Sequence, residues 1–214
     1  METIEKVLLV FIGWLLGLLG PAIVDHIKRK RENALGRTAI LTELHDLSGV
    51  LSVAVHAVKM KQGTLDRVHL QWLKDVVETG NRSEEFDNWR TSVNTQLTWS
   101  DEEIAVYARA AIGKGGTATV LQKYPVPLLD SRVSALWSFD TDFQRRLLEI
   151  RQIMHRLDDL VDRSRKLHDM TFSNMDDVNR VRINENIRET ALFYAQTATR
   201  AVEKIMKLRG NGTQ

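Results

Sequence analysis

Histidines and carboxylates at helical spacing are the first place to look for chemistry, and His155, Asp158, Asp159 and Asp162 stand at i, i+3, i+4 and i+7. That spacing puts all four on one broad helical face, where they could gather a divalent cation. On the heptad set by Leu147, Ile150, Met154 and Leu157, however, they take outer positions. They are expected to face water, with Asp159 pairing to Arg163 and Asp162 to Lys166, so no metal site is expected. Gly113-Lys114-Gly115-Gly116-Thr117 offers backbone donors and an ammonium group, the ingredients that cradle phosphate. A phosphate-binding loop also needs the spacing G-x-x-x-x-G-K-[ST] between a strand and a helix; both are missing, and the segment reads as a connection. Zero cysteines exclude disulfides, thiolate metal sites and a cysteine nucleophile. Nothing in the pattern buries a carboxylate to raise its pKa, and no cofactor is expected. One foothold for catalysis remains, Arg163 and His168 in Arg163-Ser164-Arg165-Lys166-Leu167-His168.

This R-x4-H segment resembles the signature of HEPN ribonucleases, over six residues of the chain. The resemblance implies a small helical bundle that dimerises and sets an arginine and a histidine over the scissile phosphate. Under it, His168 is the general acid or base and Arg163 stabilises the phosphorane. The helical register gives a different expectation: His168 follows Val161 by seven residues and falls on the apolar seam, as a packing residue does, whereas Arg163 falls off it.

The elements around these residues are written in the hydrophobic pattern. The chain has 214 residues with 30 Lys+Arg against 28 Asp+Glu and a net charge of +2, too mild to make nucleic acid an expected partner. From Val7 to Val24 eighteen residues pass without a charge. At about 1.5 Å per residue, with Ile4, the run covers roughly 30 Å, the hydrocarbon thickness of a bilayer. Its N-terminal flank is net acidic and no small-x-small cleavage site follows, so it is expected to stay as an anchor. Lys28, Arg29, Lys30 and Arg31 follow directly; the positive-inside rule places residues 1–6 outside and residues 25–209 in the cytoplasm, at the inner membrane. The same basic run reaches anionic headgroups. Within the span, Gly13 and Gly17 form a G-x-x-x-G that permits close helix pairing in lipid, and Pro21 is expected to bend the helix.

Beyond the span the chain reads as all-α. Ile40, Leu44, Leu47, Leu51, Ala54 and Val58 make a coiled-coil-type seam on a helix over about 27–61, stopped by Gly63 and continuous with the membrane helix. Shorter helices are expected from Thr64 to Gly80, from Ser83 through Leu97, and from the capping box Ser100-Asp101-Glu102-Glu103 to Ile112. Residues 113–128 are irregular and mark a possible internal boundary. Two long helices follow, one carrying Phe143, Leu147, Ile150, Met154, Leu157 and Val161, the other over about 176–209 carrying Val181, Ile187, Ala191, Tyr194, Ala198, Val202 and Ile205. Residues 210–214 read as a disordered tail. Trp72, Trp89, Trp99 and Trp137 are expected as core or interface anchors.

These features predict a single N-terminal transmembrane helix and a cytoplasmic antiparallel bundle of long, coiled-coil-like helices. The function expected is a membrane-anchored interaction and oligomerisation protein. One specific form is a toxin-like bacterial antiviral defence effector that perturbs the membrane; a membrane-tethered HEPN-like ribonuclease is the alternative. The expected partners are lipid, further copies of the chain, and an unidentified protein.

Overall fold

The computed structural model describes residues 2–79, 84–112, 120–174 and 176–210, and every regular element among them is helical. The expected closure at Gly80, the start at Ser83, the loop Gly113–Thr117 and the tail beyond Gly210 lie outside the described residues. The chain divides into two compact units, residues 1–40 and 41–214. Each is described by itself.

The first unit is the N-terminal part of helix α1 (Glu2–Lys61), and Pro21 stands inside that helix without ending it. The segment is long and apolar enough to cross a membrane. Thr38 Oγ1 turns back to donate to the Ala34 carbonyl at 3.0 Å, which satisfies a polar group within the helix itself.

In the second unit, α1 buries Leu44, Leu47, Leu51, Val55 and Val58. Val55 takes the place expected for Ala54, so the inward positions advance by four residues twice in succession. A strict heptad alternates four and three; this helix keeps the ordinary 3.6 period instead. It ends in a Schellman motif: Thr64 N–H donates to Lys59 C=O at 2.9 Å and Gly63 N–H to Met60 C=O at 3.1 Å. Gly63 adopts φ +64°, the left-handed conformation that favours glycine, and a Cβ there would also press on the tip of the Ile112 side chain.

Helix α2 (Arg67–Thr79) opens later than the expected Thr64, because Asp66 is the residue that accepts from a free N–H of the first turn, that of His69, at 2.7 Å. It packs through Leu73 and Val77 on Val93 of α3 (Glu84–Leu97). At the start of α4 (Asp101–Ile112) the expected capping box is present: Glu103 N–H donates to Ser100 Oγ and Ser100 N–H to Glu103 Oε2. Ile104 and Ala108 of α4 join Leu65 and Leu70 in a second apolar cluster.

Part of the stretch expected to be irregular is helical. Pro127 opens the short α5 (Pro127–Ser131), where its missing N–H costs nothing. The next two donors, Leu128 N–H and Leu129 N–H, are both taken by the Glu43 carboxylate of α1 at 2.7 and 2.8 Å. A 3₁₀ turn (Val133–Ser138) leads to α6 (Thr141–Thr171), capped by Asp140, and α7 (Asp177–Gly210) follows, with Asp176 accepting from Asn179 N–H. α6 buries Phe143, Leu147, Ile150, Met154, Leu157 and Val161 as the spacing predicts. α7 buries Ile187, Ala191, Tyr194, Ala198, Val202 and Ile205, but Val181 stays in water. Lys204 of α7 pairs with Glu149 of α6 at 2.5 Å, and the Tyr194 hydroxyl donates to Gln122 C=O at 3.1 Å.

Candidate functional site

The apolar run begins as ordinary helix, yet its surface is the reverse of a soluble helix. Val7, Leu8, Phe11, Trp14, Ile23, Val24 and Ile27 are each between 54% and 65% exposed. An uncovered apolar surface of this extent is unfavourable in water and favourable in hydrocarbon, at about 25 cal/mol per Å². Lys28, Arg29, Lys30 and Arg31 are all exposed immediately after it, free to meet headgroups. A Cβ built on Gly13, Gly17 or Gly20 would meet nothing within 4 Å, so the small-residue face is open.

The candidate ribonuclease pair is not brought together. Residues five apart on an α-helix point about 140° apart around its axis. Arg163 accordingly stands in water, whereas His168 is half-buried. His168 Nδ1 donates to the Ser164 carbonyl at 2.8 Å, which fixes the tautomer. The remaining acceptor, Nε2, is buried without a partner. A ring held in this way is anchored to its own helix, as a packing residue is.

His155, Asp158, Asp159 and Asp162 also part company. His155 and Asp159 are exposed, while Asp162 turns to Lys123 at 2.7 Å and Arg165 at 3.9 Å rather than to Lys166. The Lys123 hydrogen bond holds the Asp162 carboxyl below its usual range, whereas partial burial pushes Asp158 up. Asp159 does not pair with Arg163.

The sequence reading missed the most unusual cluster of polar side chains. His56 of α1 and His69 of α2 stack with ring centroids 5.5 Å apart and planes at 19°. Trp89 meets His56 edge-on at 5.3 Å, and Trp72 lies 5.3 Å from His69. Both histidines are buried, and among the described residues His56 Nδ1, His69 Nε2 and Trp72 Nε1 have no hydrogen-bond partner. Burial lowers His56 to about 4. Burial, with smaller contributions from His56 and Lys59 against an opposing one from Asp66, lowers His69 to about 3. Both rings are therefore neutral in the folded chain at neutral pH. The only sequence signal was His56 lying four residues after Ser52 on the inward side of α1. Of the tryptophans expected as anchors, Trp72, Trp89 and Trp99 are partly buried, and Trp137 is 73% exposed.

An all-helical chain with one apolar N-terminal helix is thus the class that fold and surface define. No known family, curated protein or solved structure matches it.

Proposed function

We propose that this chain is a single-pass membrane-anchored interaction protein whose antiparallel helical bundle works at the cytoplasmic face of the inner membrane and self-associates there. The observation that carries the reading is the exposed apolar side chains of Val7, Leu8, Phe11, Trp14, Ile23 and Val24, a surface that lipid or another such helix would cover. The basic run Lys28 to Arg31 supports an N-out orientation. The open face at Gly13 and Gly17 supports helix pairing within the bilayer. Gathering several spans is also what a membrane-perturbing effector needs, since one helix encloses no pore. Fractionation with a reporter fused after Gln214 tests the anchor and its direction. The fusion is expected in the membrane fraction with a cytoplasmic reporter, and neutralising Lys28, Arg29, Lys30 and Arg31 together is expected to mix orientations. A full-length chain that stays soluble without detergent defeats the reading.

A further inference from the structure

We propose that the groove between α6 and α7 is the surface through which two copies of this chain pair. The inference rests on the self-association proposed above and assigns it a place. The groove has a volume of about 450 Å³ and is lined by Ile153 and Leu160 of α6 and by Phe193 of α7. Ile153 is buried, yet the Phe193 ring is 64% exposed. One face therefore carries both an apolar knob and a hollow.

Its charges are of both signs. Arg156, Asp159 and Arg200 line the same groove. Among the described residues none of the three has an ion-pair partner, although Arg156 and Asp159 stand one turn apart on α6. Three other carboxylates of that helix are engaged: Asp142 with Arg145 and Arg146, Glu149 with Lys204, Asp162 with Lys123. A small anion or an acidic peptide would satisfy the arginines and leave Asp159 facing a like charge. A second copy related by a two-fold axis gives Asp159 an arginine to meet, because each contact made by one copy is returned by the other. Phe193 of each copy enters the hollow of its mate, and each Asp159 meets an arginine across the axis.

The chain has no cysteine, so a single introduced thiol reports contact without ambiguity. Full-length Gln196→Cys, which lines the groove, is oxidised in membranes beside Val68→Cys, at a site 80% exposed on α2. A disulfide-linked dimer is expected for the first and not for the second. Phe193→Asp, Asp159→Arg and the double change Arg156→Asp with Arg200→Asp are each expected to lower the cross-linked fraction of Gln196→Cys at least fivefold. Combining all three charge reversals is expected to restore it, with an unchanged circular-dichroism melt showing that each variant folds. If the full-length chain associates in detergent but Gln196→Cys links no better than Val68→Cys, or the reversals change nothing, the groove is not the surface and self-association stands. If no association is found, both readings fall.

Discussion

Lowering the pH from 7.5 to 5.0 is expected to destabilise the second unit by about 4 kcal/mol through two side chains alone. An unfolded histidine titrates near 6.5, whereas His56 and His69 titrate at about 4 and about 3 in the fold. At pH 5 the unfolded chain therefore binds nearly one proton at each site and the folded chain almost none. Stability rises with pH wherever the unfolded state binds more protons, so it is fully present above 6.5 and is lost as pH falls toward 4 and 3. Each ring accounts for about 2 kcal/mol between pH 7.5 and 5, against a total of about 5 to 15 kcal/mol for a domain. The carboxylates held low by partners, Asp142, Glu149 and Asp162, contribute mainly at lower pH, and Asp158, which partial burial pushes up, acts with the opposite sign, so the loss of stability in this window is assigned to the histidines. Denaturant unfolding of the full-length chain in micelles, followed by tryptophan fluorescence, measures the effect directly, since Trp72 and Trp89 border the pair. His56→Phe and His69→Phe keep a ring in place without a titrating group. Each is expected to remove about half of the pH dependence, and together nearly all of it. A wild-type stability that is flat from pH 7.5 to 5.0, or imidazole proton resonances that titrate near 6.5 for these two residues, would refute the reasoning.

Replacing Glu43 with alanine removes both acceptors at the start of α5 and is expected to cost about 1 to 2 kcal/mol, read as a lower melting temperature, with glutamine recovering part of it. Gly63→Ala places a Cβ at a positive φ and is expected to destabilise by roughly 1 kcal/mol through the backbone; thermal melts check it. His168→Ala is expected to lower stability by about 1 to 3 kcal/mol while purified wild type and variant show the same absence of RNA cleavage. Cleavage by the wild type that the alanine variant loses would restore the ribonuclease alternative.

The long helices were legible because their patterns are redundant: six inward residues of α6 recur without exception, and Ser100 with Glu103 announces α4 by the hydrogen bonds it later makes. What escaped is what depends on partners distant in sequence. Pro127 by itself suits a helix start or a break equally, and what decides is distant: the acceptor for the first turn of α5 is Glu43, 85 residues before Leu128. Asp162 turns to Lys123 for the same reason, against an expectation drawn from i,i+4 spacing alone. Val55 displaced Ala54 because burial follows the true helical period, and a heptad template imposes 3.5. The histidine pair was invisible because stacking joins two helices across a turn, and each ring read singly is an ordinary polar residue.

The carboxylate clamp on α5 also couples two distant stretches of the chain. A five-residue helix is far too short to nucleate unaided. Its first turn is held from a helix synthesised long before it, while Asp130 pairs with Arg151 of α6. The amide protons of Leu128 and Leu129 are therefore expected to report on α1 from 85 residues away: in native-state hydrogen exchange, loosening α1 is expected to unprotect them.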